Sequence, residues 1–229
     1  MGKVYRGVQL TLNRSVAIKV IHPHLLHDPS VVARFHAEAR AASRLNHPNS
    51  VSVIDFGKSE EGLLYLVMEY LEGKDLATLH LEEGPLPFNR IVGILRGVTS
   101  VMIEAHALGI VHRDLKPENI FVRRRAHQDE VKVLDFGLAK MHHAPPTQAT
   151  LRGHICGTPD YMSPEQARGE NVDGRSDIYS LGVILFELLT DRLPYPDENP
   201  TKVLLRHIRD PVPDPRVVAP GRGIPDALA

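Results

Sequence analysis

Val111-His112-Arg113-Asp114-Leu115-Lys116-Pro117-Glu118-Asn119 is the stretch on which the reading of this chain turns. It reads as a loop that carries Asp114 and Asn119 five residues apart. Upstream, Ile91, Ile94, Leu95, Val98, Met102 and Ala105 recur at helical spacing, and Gly109 closes that apolar stripe. Downstream, the apolar runs Ile120 to Val122 and Val131 to Leu134 flank a polar Arg/His/Gln/Asp/Glu stretch and predict a hairpin. The second run leads directly into Asp135-Phe136-Gly137.

Further towards the N-terminus, Ser15-Val16-Ala17-Ile18-Lys19-Val20-Ile21 alternates with period 2 and predicts a strand ending at His22-Pro23. Its one charged interior residue is Lys19. Asp28-Pro29-Ser30 reads as a helix start, with Asp as N-cap and Pro in the first turn where no amide donor is required. Val31, Phe35, Ala39 and Ala42 continue at helical spacing until Asn46-His47-Pro48. Glu38 shares the inward face of that helix, and an inward carboxylate needs a cationic partner. Val51 to Phe56 and Leu63 to Tyr70 predict two more strands around a Glu60-Glu61-Gly62 turn. After Glu72-Gly73-Lys74 the pattern becomes mainly helical. The expectation is an α+β chain, with residues 1–70 a small β-rich lobe holding one helix and residues 71–229 a larger helical lobe. Residues 141–160 read as a long loop, Ile178 to Leu189 as a helix apolar almost all round, and the region near Lys202 to Ile208 as a short helix. No internal repeat is found.

The 229 residues hold 27 Lys+Arg against 28 Asp+Glu, and a net charge of −1 removes the long-range field that draws in nucleic acid or an anionic membrane. With 42% hydrophobic and 24% charged residues the chain can bury a sizeable core. The single Cys156 excludes an internal disulfide framework and suits a reducing compartment, so a cytoplasmic location is expected. No run reaches the roughly 18 apolar residues of a membrane span, and no apolar segment near Met1 makes a secretory signal.

Three motifs in order, Val16-Ala17-Ile18-Lys19, His112-Arg113-Asp114-Leu115 with Asn119, and Asp135-Phe136-Gly137, resemble the signatures of the protein kinase family. The resemblance covers the whole chain and implies a two-lobed kinase fold with ATP between the lobes. It also implies Mg²⁺ (Mn²⁺ being the alternative ion) held by Asp135 and Asn119, whose oxygens suit a hard cation. Lys19, fixed by Glu38, would hold the α- and β-phosphates. Asp114 would orient the acceptor hydroxyl and take its proton, with Lys116 beside the transferred phosphoryl group.

Asp-Leu-Lys-Pro-Glu-Asn is similar to the Ser/Thr branch of the family, so the implied substrates are Ser and Thr hydroxyls of proteins. Gly157-Thr158-Pro159-Asp160-Tyr161-Met162-Ser163-Pro164-Glu165 resembles the segment that docks the acceptor, with Thr158 near Asp114 and Lys116. Its wording is most similar to bacterial eukaryotic-type Ser/Thr kinases. By the same resemblance Met68 is the gatekeeper, Glu69 and Leu71 meet adenine through backbone groups, and Asp75 lies near ribose. Gly2 and Val4 belong to the phosphate flap; Val4, Ala17, Phe121 and Leu134 sandwich the purine; Glu118 joins the nucleotide-site residues. Ser176-Asp177 resembles the pair whose aspartate ties the catalytic loop to the core. Arg113 suggests control by phosphate on the long loop, with Thr147 and Thr150 as candidate self-phosphorylation sites; finding both bare in a fully active enzyme by mass spectrometry would remove that expectation.

The resemblance fails at both ends. Met1-Gly2-Lys3-Val4 matches only the last glycine and the valine of the Gly-rich loop, and the chain stops soon after Pro225. The family places an arginine partner for Glu165 in the helices beyond, so Glu165 is expected to be buried and unpaired at a cost of about 3–5 kcal/mol. A fragment or misplaced start of an active kinase is preferred over a pseudokinase or nucleotide-binding scaffold, because Lys19, Glu38, Asp114, Asn119 and Asp135 are all present. A small-molecule phosphotransferase is the other alternative, against which Lys116 and the segment from Asp135 to Glu165 speak. His142, His143, His154 and Cys156 match no zinc-ligand spacing. Arg123-Arg124-Arg125 reads as a solvated turn, given the acidic residues after it.

Overall fold

In a computed structural model, residues 3–21, 32–33, 35, 39–40, 42–126, 128–136 and 158–229 are described. The fold is α+β and two-lobed. Strand β1 (Lys3–Gln9) pairs antiparallel with β2 (Arg14–Val20), and β3 (Val53–Lys58) with β4 (Leu64–Glu69), giving one sheet in the order β1-β2-β4-β3. In β4 the alternation of Leu64, Leu66 and Met68 with Tyr65, Val67 and Glu69 puts one set inward, as the pleat requires. Gly62, at φ 87°, takes the left-handed turn position between β3 and β4 that side chains with a Cβ disfavour. The inward face packs Ile21, Leu64, Leu66 and Met68 against Val51 and against Phe35 and Ala39, both fully buried, so the expected helical stripe does face the core. The expected start of that helix and Glu38 lie outside the described residues.

The larger lobe opens with β5 (Lys74–Asp75) and α1 (Leu76–Glu83), a helix that the sequence reading did not single out. Asp75 caps it by accepting from the backbone N–H of Thr78 at 2.8 Å. Helix α2 (Phe88–Ala107) buries Ile91, Ile94, Leu95, Val98, Val101, Met102 and Ala105, the predicted stripe with Val101 added. Gly109, at φ 72°, ends it. Strands β6 (Ile120–Arg125) and β7 (Gln128–Val133) form a sheet in the order β5-β6-β7. The predicted polar turn is shorter than expected: Arg123↔Glu130 and Arg124↔Asp129 continue the ladder, and the reversal falls at Ala126, φ 54°. Backbone pairing does not require apolar side chains, so a solvent-facing hairpin end carries charges freely.

The short helix α3 (Pro164–Arg168) precedes the long α4 (Gly174–Thr190), followed by α5 (Pro200–Arg209) and α6 (Pro215–Val218). Helix α4 buries Val183, Ile184, Leu188 and Leu189, but Ile178 is 53% exposed, so one side faces solvent rather than core. Of the expected loop over residues 141–160, 141–157 lie outside the described residues, and Pro159–Tyr161 form a 3₁₀ turn. The lobes are joined by backbone as well as by chain continuity. Residues 49–51 run beside β7, with the Val51 N–H donating to the Val133 carbonyl at 3.1 Å and the Val133 N–H donating to the Asn49 carbonyl at 2.8 Å. Ser50 forms a parallel bridge with Val133.

Candidate active site

Lys19 is the buried charged residue of β2, an interior strand whose other charge, Arg14, is exposed at its start, and it is 7% exposed. Its ammonium donates to Asp135 Oδ2 at 2.7 Å across the gap between the lobes. A buried ammonium without an anion would be severely destabilised, so this pairing fixes both side chains. The expected Lys19–Glu38 pair lies outside the described residues, as do Gly2, Gly137, Thr147 and Thr150. Asp135 sits at φ 59°, a left-handed conformation uncommon for a residue with a Cβ, and Arg113 at φ 69° shares it.

The loop 111–119 is held from three directions. Asp177, at the start of α4, accepts from the backbone N–H groups of His112 at 2.9 Å and Arg113 at 2.8 Å, and is 2.8 Å from His106 Nε2. Burial alone would raise the Asp177 pKa; the bonds from His106, His112 and Arg113 outweigh it and hold the carboxyl below its ordinary range. His112 is fully buried and its Nε2 lies 2.7 Å from the Leu134 carbonyl, an acceptor, which makes Nε2 the protonated nitrogen. Its Nδ1 then accepts from the Asp114 N–H at 3.3 Å, while its ring meets Phe136 edge-on at 5.1 Å. Gln166 Nε2 donates to the Arg113 carbonyl at 2.7 Å.

These anchors bring the chemistry-bearing groups together. Asn119 Nδ2 donates to the Asp114 carbonyl at 2.7 Å and lies 3.4 Å from Asp114 Oδ2, so its amide oxygen remains the ligating end. The Leu134 N–H donates to the Asn119 carbonyl at 2.8 Å, linking this loop to the residue before Asp135. Lys116 Nζ donates to Thr158 Oγ1 at 2.9 Å and stands 3.7 Å from Asp114 Oδ2. One ammonium therefore bridges the loop and the segment that begins at Thr158. The donor set fits the expected groups: a buried ammonium for phosphate oxygens, and carboxylate and amide oxygens for a hard cation.

Of the remaining predicted residues, Met68 is buried, Ala17, Leu71, Phe121 and Leu134 are half-buried, Val4 is 61% exposed and Glu118 is exposed on the 3₁₀ turn Pro117–Asn119. Both Asp75 oxygens bond Thr78, through its N–H and its hydroxyl. The Glu69 side chain accepts from the Lys132 ammonium and the Ser52 N–H.

One expectation is corrected. Glu165 is half-exposed, not buried, and accepts a hydrogen bond from the Ser176 hydroxyl. Burial raises its pKa, but that bond and its own backbone N–H prevail, so it is held low and no unpaired charge needs offsetting. The sequence reading also missed the bracing of the segment around Tyr161. Tyr161 donates to Glu187 Oε2 at 2.7 Å, and Ser180 Oγ donates to the Tyr161 carbonyl at 2.7 Å. Burial, and then the neighbouring Glu118 and Asp160, push the Glu187 carboxyl up against the lowering effect of the Tyr161 bond. Gln166 was legible: Ser163 and Gln166 form a capping box, whose Ser-x-x-Gln spacing stands in the sequence.

The candidate site of this two-lobed fold is thus the Lys19–Asp135 bridge together with Lys116 between Asp114 and Thr158. The protein kinase domain model matches residues 1–216. The chain is 48% identical to the serine/threonine-protein kinase pkn3 of Myxococcus xanthus, over 100% of this chain and 42% of that protein. It is 41% identical to the serine/threonine-protein kinase PknB of Mycobacterium leprae, over 93% of this chain and 34% of that protein. The crystal structure of the Mycobacterium tuberculosis PknI kinase domain, a double mutant, superposes with a TM-score of 0.67 at 28% identity, covering 85% of this chain and 70% of that one. The chain belongs to the protein kinase domain family. It spans less than half the length of the curated relatives it matches.

Proposed function

We propose that this chain, with residues 1–70 and 71–229 as the two lobes of one domain, transfers the γ-phosphate of ATP to Ser or Thr hydroxyls of proteins. The observation that carries the reading is the pair of bridges converging on one cleft: Lys19 to Asp135, and Lys116 to Thr158 beside Asp114. In this reading Lys19 holds the α- and β-phosphates, while Asp135 and the Asn119 amide oxygen hold Mg²⁺. The metal would supply neutralisation of phosphate charge. Asp114 orients the acceptor hydroxyl and takes its proton as the new O–P bond forms and the bond to the departing ADP breaks. Lys116 offsets charge on the transferred group, and Thr158 keeps that ammonium in place. Met68, Ala17, Leu71, Phe121, Leu134 and Val4 frame the base, and Asp75 reaches ribose only from its capping position. Self-phosphorylation at Thr147 or Thr150 belongs to the same proposal.

The test is transfer of radiolabel from ATP to a protein acceptor, comparing the chain with Asp114→Asn. Incorporation on Ser or Thr that falls by about 10²–10⁴-fold in the variant supports the reading. Equal incorporation would remove Asp114 from catalysis. Among the described residues no helix is long and apolar enough to cross a membrane.

A further inference from the structure

Lys132 has no part in the chemistry above, yet it stands on β7 three residues before Asp135. Its ammonium donates to Glu69 Oε1 at 2.7 Å and to the Ser50 carbonyl at 2.9 Å. The same Glu69 oxygen accepts from the Ser52 N–H at 2.8 Å, and the Glu69 N–H donates to the Ser52 carbonyl at 3.0 Å. Three segments therefore meet at one charge pair: the end of β4, the residues entering β3, and the strand that delivers Asp135. Burial would raise the Glu69 pKa, but the hydrogen bonds from Lys132 and Ser52 outweigh it, so the carboxylate stays ionised at neutral pH. The two side chains are 25% and 31% exposed, a position where an isolated pair is worth little. This pair is not isolated, because each partner is also bonded to the backbone of residues 50–52.

Location gives the network its consequence. The base end of the nucleotide site is the backbone at Glu69 and Leu71, and the phosphate end is Asp135 with Lys19. Lys19 is tied to the hinge strand by the β2–β4 pairing, whereas Asp135 is separated from Glu69 along the chain by α1, α2 and the loop 111–119, so sequence continuity does little to fix the offset of Asp135 from the hinge. A ligand that spans both ends gains from both only when that offset is set beforehand. We infer that Lys132 is a positioning residue for the nucleotide, holding the hinge backbone, through Glu69, at a fixed offset from Asp135. This rests on the kinase reading.

The test compares ligands that touch one end with a ligand that spans both. Adenosine and Mg-ATP are titrated calorimetrically into the wild-type chain, Lys132→Met, Lys132→Arg and Glu69→Gln, with KM for ATP and for a peptide measured alongside. Lys132→Met is expected to weaken Mg-ATP by about tenfold and to raise KM for ATP with the peptide KM unmoved. Adenosine affinity is expected to change by less than about twofold, and Lys132→Arg to recover most of the loss. Glu69→Gln keeps the shape of the hinge residue and reproduces the loss should Lys132→Met fold poorly. Unchanged Mg-ATP affinity in both Lys132→Met and Glu69→Gln overturns the inference. Equal losses of adenosine and Mg-ATP overturn it too, since they mean local damage to the hinge. A wild-type chain that binds no ATP would instead sink the kinase reading on which this rests.

Discussion

At the residue scale, the site is governed by which charges have a partner. Asp177 is 1% exposed and anchors two backbone N–H groups of the loop 111–119. Replacing it with Asn removes the charge and leaves a donor facing donors, a loss of about 2–4 kcal/mol that thermal unfolding will register. The pH dependence follows from its depressed folded-state pKa. Its stabilising contribution is fully present above the unfolded carboxylate value of about 3.9, and is lost as pH falls through the lower folded value. Unfolding measured from pH 6 downwards should therefore steepen below about pH 4 in the wild-type chain, and the Asp177→Asn variant should show a flatter acid limb. Thr158→Val removes the acceptor of the Lys116 ammonium. The expected outcome is a fall in kcat at constant Tm, read by steady-state assay beside a melting curve.

At the element scale, two contacts decide how secondary structure frames the cleft. Helix α2 approaches β7 at Gly97, where a Cβ would lie 3.1 Å from Val131 Cβ and 3.3 Å from Asn49 Nδ2. Gly97→Leu must push the helix off the strand that carries Lys132 and leads to Asp135, at a cost of about 1–3 kcal/mol in chemical denaturation. Helix α1 begins at its Asp75 cap. Asp75→Ala should cost about 1 kcal/mol of stability, whereas Asp75→Asn, which still caps, should leave stability nearly unchanged. Any difference between Asp75→Asn and the wild type in KM for ATP then reports a ribose contact rather than the cap. The element-level reading from sequence worked where periodicity was strong, as in α2 and β4. It fell short at the β6–β7 hairpin end and at α1, since solvated ladder residues and a two-turn helix leave little apolar pattern.

At the scale of the whole molecule, two hydrophobic clusters are joined by residues 49–51 on β7, by the Lys132–Glu69 pair and by Lys19 reaching Asp135. A nucleotide held between lobes binds the folded chain and not the unfolded one. Saturation at about 100 times Kd should therefore add about 2.7 kcal/mol to stability, seen as a rise in Tm with Mg-ATP concentration. Lys19→Met should lose most of that rise. A rise of equal size in Lys19→Met would show that the ligand does not use this cleft.

Local pattern and motif order were enough for the α+β class and the two-lobed fold, and they singled out Asp114, Lys116 and Asn119 as candidates, because side-chain periodicity and residue spacing are properties of neighbouring positions. What neighbours cannot encode is which distant groups come within bonding distance. That Lys19 closes on Asp135 and that Glu69 answers to Lys132 were decided only when the lobes packed, and that Glu165 takes a serine hydroxyl instead of standing unpaired was decided by how the larger lobe folds on itself. An ion pair or hydrogen bond depends on ångström separations between segments far apart in the chain, and those separations exist only in the folded molecule.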